Sequence, residues 1–288
     1  MAIALNQLIL SRYFITRHLA SGGMADIYEA NDIVINKAVA LKFLKEKYLD
    51  SDYDLELFKN EARYTAIFNH PHIMKVYNVG EYENIPFISC ELFKGKTFKE
   101  ALDSRGKFSY DEAIDYMLQI LDAVSTMHDA EILHNDLKPD NIFLLSDGNI
   151  KICDFGIATH TFDKEQNETL GSLNYVAPEV LQSKKYSTQS DIYSLGTMFF
   201  EFLTGRVIYF GNTSKEIMEA HLKEEIPSLK KFISLNNVDD LDYVISKSCA
   251  KNASNRYKSV KEFISDLNKI KRHESLKRKN IFLRLFSK

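Results

Sequence analysis

The sequence predicts an α+β chain of two lobes, a small β-rich lobe with one main helix and a larger, mostly helical one. Three observations carry this. Residues 12–45 and 74–90 read as short strands broken by turn residues, with a single helical stretch between them. From residue 110 onward helical periodicity dominates. The change falls near Phe93-Lys94-Gly95, which reads as a hinge.

Taken in order, residues 12–45 form strands punctuated by Gly22-Gly23, with a β-rich run from Ala38 to Leu44. Residues 53–69 place Leu57, Phe58, Ala62, Thr65 and Ala66 at helical spacing and stop at Pro71. Strands follow near 74–79 and 85–90. Residues 110–130 form a long helix on Ala113, Ile114, Met117, Leu118, Leu121, Val124 and Met127. Strands at 142–145 and 150–152 flank a Ser-Asp-Gly-Asn turn. Helices are expected near 188–204, 214–222, 239–249 and 259–272. The domain boundaries follow: an N-terminal extension over 1–11, a first lobe over 12–92, a second over 93–272, and a basic amphipathic tail over 273–288.

The chain has 288 residues, enough to bury most of its apolar surface. Its net charge of −3 gives no global attraction to nucleic acid. Cys90, Cys153 and Cys249 are three, odd in number and widely spaced, which excludes a disulfide framework and points to a reducing, cytoplasmic compartment. The N-terminal MAIALNQLIL lacks a basic leader and reads as a packed terminal segment. No stretch approaches the roughly 20 apolar residues of a membrane span. Residues 269–288 hold eight Lys or Arg against one acid, Glu274, beside Ile281, Phe282, Leu283, Leu285 and Phe286. They read either as an interfacial helix in weak contact with a membrane surface or as a solvated chain end.

Four segments carry chemistry. Ser21-Gly22-Gly23-Met24-Ala25-Asp26-Ile27-Tyr28 lies between two strands, where glycines let main-chain amides approach an anion. A plain hairpin turn is the alternative. In Ala38-Val39-Ala40-Leu41-Lys42 an ammonium ends an apolar strand, so it must pair or reach solvent. Glu61 on the following helix is a candidate partner. Leu133-His134-Asn135-Asp136-Leu137-Lys138-Pro139-Asp140-Asn141 gathers polar side chains in a tight loop before a strand. Asp136 can accept a hydroxyl proton, Lys138 can neutralise charge on a moving phosphoryl group, and Asn141 offers an oxygen to a metal. Asp154 in Ile152-Cys153-Asp154-Phe155-Gly156 is a hard oxygen ligand suited to magnesium.

With Ala177-Pro178-Glu179, these segments together resemble the protein kinase signature in order and spacing, from about residue 12 to about residue 272. Gly-Gly-Met-Ala-x-Ile-Tyr resembles the loop of bacterial eukaryotic-like serine/threonine kinases. So do residues 69–73, 190–196 and the stretch from His221 to Pro227. Lys138, two residues after Asp136, resembles the serine/threonine class.

The resemblance implies a bilobal kinase that uses ATP with Mg2+, or Mn2+, on a protein Ser or Thr. It implies that Lys42 contacts the nucleotide phosphates and pairs with Glu61, that Asp136 and Lys138 serve catalysis, and that Asn141 and Asp154 hold the metal. Ala20, Ser21, Gly22, Gly23, Met24, Ala25, Ile27 and Ala40 would line the nucleotide site. Cys90 would be a small gatekeeper with a roomy space behind the adenine, and the backbones of Glu91 and Phe93 would hydrogen-bond the base. Glu179 would pair with Arg256, and Asp191 would brace the catalytic loop. Autophosphorylation through a homodimer is a further expectation. The origin leans bacterial, phage or pathogen effector, the last placing the chain in a host cytosol. The end at Lys288 reads as a stand-alone kinase or as part of a longer protein.

Departures from the family pattern are Ala20 and Ala25, at the first and third loop glycines, and Asn135, where the family usually has Arg. That arginine pairs with a phosphorylated loop residue, and Asn supplies no such charge. Thr159, Thr161, Thr169 and Ser172 are the loop hydroxyls, Ser172 matching a position near the catalytic aspartate. Activity is therefore expected to depend weakly on loop phosphorylation. Two other readings stay open. A pseudokinase would lack Lys42, Asp136 or Asp154, and a small-molecule kinase would usually lack Ala-Pro-Glu.

Overall fold

The computed structural model describes residues 3–155, 159–160, 173–235 and 238–276. In chain order its regular elements are β1 (Leu8–Ile9), β2 (Tyr13–Ser21), β3 (Ala25–Asp32), β4 (Lys37–Leu44), α1 (Asp52–Ala66), β5 (Val76–Tyr82), β6 (Ile85–Glu91), β7 (Gly95–Thr97) and α2 (Phe98–Arg105). There follow α3 (Tyr110–Asp129), β8 (Ile132–Leu133), β9 (Ile142–Leu145), β10 (Ile150–Ile152), β11 (Thr159–His160), α4 (Pro178–Ser183), α5 (Thr188–Thr204), α6 (Ser214–Lys223), α7 (Val238–Ser248) and α8 (Val260–Lys271). The α+β mixture of the sequence reading is present. Two compact units emerge, residues 1–101 with 126–163, and residues 102–125 with 164–288.

The first unit is built on a six-stranded antiparallel sheet in the order β1-β2-β3-β4-β6-β5. Tyr13, Ile15, Tyr28, Ala30, Val39, Leu41, Phe43 and Phe87 alternate onto one face and form its core. The N-terminal segment packs as expected, with Ile3 and Ile9 buried in that core and Leu8 registered against Phe14. The β2–β3 pairing shifts register between Ile15 and Arg17 and between His18 and Ala20. Such irregularities bend a strand and increase its twist, here beside the glycine turn.

Helix α1 begins where Ser51 accepts a hydrogen bond from the Asp54 amide. Phe58, Glu61, Ala62 and Thr65 recur at helical spacing on its buried face. The helix ends at Ala66, short of the residue 69 expected from sequence. The Ile67 and Phe68 amides turn back to the Tyr64 and Thr65 carbonyls, which ends the helix before Pro71 has any effect. Two helices escaped the sequence reading, α2, which is short and polar, and α4, a single short stretch opened by Pro178.

In the second unit α5 is buried along almost all its length. It starts with a capping box between Ser187 and Ser190 and stops at Gly205, whose φ of 72° suits glycine. A side chain at Gly196 would lie 2.3 Å from Ser248 Oγ and 2.6 Å from Cys249 Sγ, so glycine there permits α7 and the residue after it to approach.

Beside this contact lies a buried polar network. Tyr193 Oη is 2.7 Å from His221 Nδ1, and Lys251 Nζ donates to Tyr209 Oη at 2.8 Å and to the His221 carbonyl at 2.7 Å. Burial, with the nearby Lys251 charge, lowers the His221 pKa from its ordinary 6.5 to about 4. The folded imidazole therefore stays neutral while the unfolded one takes a proton as pH falls through 6.5. This contribution is intact above pH 6.5 and is lost progressively down to about pH 4, by up to about 3 kcal/mol. Urea unfolding at pH 7.5 and pH 5 should show a smaller loss of stability in His221→Gln than in the wild type. Equal losses would refute the assignment.

No helix among the described residues is long and apolar enough to cross a membrane. The basic tail expected over 273–288 lies outside the described residues from 277 onward.

Candidate active site

An ammonium at Lys42 and a carboxylate on the buried face of α1 solve each other's problem. Neither charge is stable in an apolar setting alone. Lys42 Nζ lies 2.6 Å from both Oε1 and Oε2 of Glu61, and 3.7 Å from Asp154 Oδ1. Burial opposes the charge on Lys42, but Glu61 and Asp154 outweigh it and hold the pKa above its ordinary value. Burial also pushes the Glu61 carboxyl up while Lys42 pulls it down. With both carboxylate oxygens at hydrogen-bond distance from the ammonium, the ionised pair is the state this geometry supports.

The tight loop before β9 organises Asp136. Lys138 Nζ donates to Asp136 Oδ2 at 2.6 Å, and Asn141 Nδ2 donates to the same oxygen and to the Asp136 carbonyl, each at 2.9 Å. With its amide nitrogen held by Asp136 in this way, Asn141 keeps Oδ1 as its acceptor. His134, fully buried, accepts the Asp136 amide at Nδ1, 3.3 Å away, so its proton sits on Nε2 and faces the Cys153 carbonyl at 3.3 Å. Asn135 is buried with φ of 67°, a left-handed conformation that Asn tolerates better than most side chains.

Asp154 also has a left-handed backbone, φ 62°, with its side chain half exposed. The next residue, Phe155, is fully buried against Phe68 and His134, with ring centroids 6.1 and 5.0 Å away. Burying the phenyl ring fixes the chain direction and leaves the carboxylate of Asp154 facing Lys42.

These groups share two adjoining cavities. The larger, about 830 Å³, is lined by Ala20, Ile27, Ala40, Lys42, Glu61, Cys90, Glu91, Phe93, Asn141 and Asp154 among others. Its volume is that of a site for a drug-sized or cofactor-sized ligand. The smaller, about 330 Å³, is lined by Gly22, Gly23, Met24, Ala25, Ile27, Lys42, Glu61, Asp136 and Asp154. Of the residues expected at the nucleotide site, Ser21 lines neither, and its hydroxyl contacts the His18 ring at 3.1 Å.

The Gly22 amide closes a turn onto the Ala25 carbonyl at 2.8 Å. Neither Gly22 nor Gly23 has a positive φ, so this turn does not demand glycine conformationally. A Cβ at Gly23 would meet nothing within 4 Å, which leaves its backbone open to a ligand. Lys45 pins the loop from β4: its amide donates to the Met24 carbonyl at 2.9 Å and its ammonium to the Gly22 carbonyl.

At the hinge the Glu91 amide already donates to the Lys75 carbonyl at 2.8 Å. That amide is therefore engaged within the chain, counter to its expected role as a donor to a bound base. Met74, Phe143 and Cys153 also line the larger cavity, and sequence reasoning named none of them as site residues. Phe143 lies in β9, two residues beyond Asn141, but Asn141 ends the turn before that strand, so strand alternation did not reveal it. Met74 and Cys153 carry no signal either.

The Cys90 thiol is pushed up to about 12 by burial, and burial raises Cys153 well above its ordinary value. Both are inert at neutral pH. Among the described residues no group of three or more His, Cys, Asp or Glu could hold a metal alone. Asn141 Oδ1 and the Asp154 carboxylate do fit Mg2+, which commonly takes one or two protein ligands together with substrate phosphates and water.

In the second unit Arg256 NH1 and NH2 reach Glu179 Oε1 and Oε2, both at 2.7 Å, forming the bidentate bridge expected from sequence. Asp191 is buried in the first turn of α5. Thr161, Thr169 and Ser172 lie outside the described residues, and Thr159 begins β11, registered against Leu133.

Known proteins match this arrangement. The chain is 36% identical over 262 residues to the serine/threonine-protein kinase PrkC of Bacillus subtilis, covering 90% of this chain and 40% of that protein. It is 34% identical over 271 residues to a probable serine/threonine-protein kinase, PknB, of Lactococcus lactis, covering 92% and 43%. Against the serine/threonine-protein kinase PknB of Mycobacterium leprae it is 31% identical over 265 residues, covering 89% and 42%. The chain thus spans about two fifths of the length of these relatives. Residues 13–283 match the family described as protein kinase domain, and with the ion pair, the loop and the two cavities in place, the chain belongs to that family.

Proposed function

We infer that this chain is a serine/threonine protein kinase that transfers the γ-phosphate of ATP to a protein hydroxyl group. The observation that carries this reading is the fixed carboxylate of Asp136, held through Oδ2 by Lys138 and Asn141, lining the same cavity as Lys42, Glu61 and Asp154. Kinase catalysis needs a lysine–glutamate pair and a metal-binding aspartate in place together, and the Lys42–Glu61 pair with Asp154 3.7 Å from the Lys42 ammonium supports assigning them these roles.

In the proposed reaction the acceptor hydroxyl oxygen attacks the γ-phosphorus, the bond from that phosphorus to the β–γ bridging oxygen breaks, and ADP leaves. Asp136 orients the hydroxyl and takes its proton. Lys138, beside Asp136, offsets negative charge on the phosphoryl group in transit. Lys42, kept cationic and aimed by Glu61, holds the nucleotide phosphates. Mg2+ bound at Asn141 and Asp154 would neutralise charge between the β- and γ-phosphates. Lys138 and the names of the relatives support serine or threonine as the acceptor.

Incubation with labelled ATP, Mg2+ and a generic protein substrate, followed by phosphosite mapping, tests the reading. Label on serine or threonine is expected, including on the enzyme itself. A pseudokinase would transfer none, and a small-molecule kinase would label only a small acceptor. Because residue 135 carries no charge to meet a loop phosphate, simultaneous Thr159→Ala, Thr161→Ala and Thr169→Ala should leave most of the activity. Loss of activity in a folded triple variant would overturn that part.

A further inference from the structure

A second concave site lies on the same unit. It is a cleft of about 350 Å³ lined by Phe68, His70, Pro71 and Ile73 from the segment after α1, by Tyr77 on β5, by Glu91 at the end of β6, and by Lys37, Lys75 and Lys151. Three ammonium side chains from three separate stretches of chain converge on it, against one carboxylate.

The charge is not balanced within the cleft. Glu91 is already matched: its Oε2 lies 2.8 Å from Lys151 Nζ and 3.3 Å from the Lys75 amide. Lys37 Nζ donates to Tyr77 Oη at 2.6 Å, a neutral partner. Lys75 is exposed, and its ammonium forms no ion pair among the described residues. Lys37 and Lys75 therefore leave a charge of +2, and each ammonium retains donors. The Tyr77 hydroxyl accepts from Lys37 and keeps its own proton to donate.

We propose that this cleft binds a phosphate dianion, free or carried on a side chain. A dianion matches the surplus charge, whereas a carboxylate would neutralise half of it, and phosphate oxygens accept the several donors that lysine and tyrosine present. A phosphorylated side chain and free inorganic phosphate share this chemistry. The cleft shares Glu91 with the nucleotide cavity and none of the residues placed in catalysis. Its function stands independently of the transfer reaction.

The test uses residues 1–288 carrying Asp136→Asn, so that no turnover intrudes, and a fluorescent phosphothreonine peptide. Saturable binding is expected with and without saturating ADP, together with no binding of the unphosphorylated peptide. Lys75→Glu should weaken binding at least about tenfold, and Lys37→Glu with Lys75→Glu further still. Both positions are exposed, so the variants should fold, which thermal melting would verify. Inorganic phosphate displacing the peptide at matching concentration would identify free phosphate as the ligand. Displacement only at far higher concentration would identify a phosphorylated protein segment. Unchanged affinity in the double variant, loss of binding when ADP fills the other cavity, or no saturable binding of either probe would overturn the proposal.

Discussion

Asp136→Asn should lower phosphoryl transfer by about 10² to 10⁴-fold, the range that a positioned base contributes. The substitution is nearly isosteric, so the mainstays of the loop should survive. Asn141 Nδ2 would still bond the residue 136 carbonyl, and His134 Nδ1 would still accept its amide. The change removes the carboxylate that Lys138 and Asn141 now hold, and with it the group proposed to receive the hydroxyl proton. In the proposed reaction nucleotide binding falls to Lys42, Glu61 and Asp154 instead, so affinity should change little. Single-turnover transfer, compared with ADP binding by calorimetry, separates the two. Equal loss of binding and transfer would show that Asp136 supports the site without acting in it.

Arg256→Met should be the most damaging change to stability, costing about 3–5 kcal/mol as expected for breaking a buried ion pair. Arg256 is 3% exposed and holds more than Glu179. Its guanidinium also donates to the carbonyls of Gln189, Ala250 and Lys251 and lies over the Tyr193 ring at 4.8 Å. Removing it leaves the Glu179 carboxylate without its cation and takes a donor from each of three carbonyls. Glu179→Gln leaves those carbonyls satisfied and keeps one acceptor, so it should cost distinctly less. Urea denaturation of the two variants gives the order, and a reversed or equal ranking would contradict this account.

Much of this was readable because the chemistry is local in sequence. Asp136, Lys138 and Asn141 meet within one loop, and Asp154 follows after the hairpin of β9 and β10. The partnership of Lys42 with Glu61 was also legible, since a buried ammonium on a strand and an acid on the buried face of the next helix each require a partner. The boundary of α1 was not, because turns after Ala66 depend on main-chain bonds that Pro71 does not determine. Helix α2 was missed although its signal was present: Phe98, Ala101 and Leu102 recur at helical spacing and are buried, and Thr97 and Glu100 cap its start reciprocally. The convergence of Lys37, Lys75 and Lys151 was invisible, since it arises only when β4, the residue before β5, and β10 come together. In the sequence Gly22 and Gly23 read as letting main-chain amides approach an anion; neither has a positive φ, and at Gly23 a side chain would meet nothing within 4 Å.

The paired thiols of the larger cavity bear on how this protein could be inhibited. Cys90 and Cys153 both line that wall, which makes them appear suited to covalent capture. Capture requires a thiolate, and burial holds both sulfurs protonated. An electrophile seated there should bind as a reversible guest and react slowly. A cysteine occupies less space than a larger gatekeeper side chain would. Affinity is therefore better sought from a bulky apolar group directed past Cys90 than from a reactive one aimed at its sulfur.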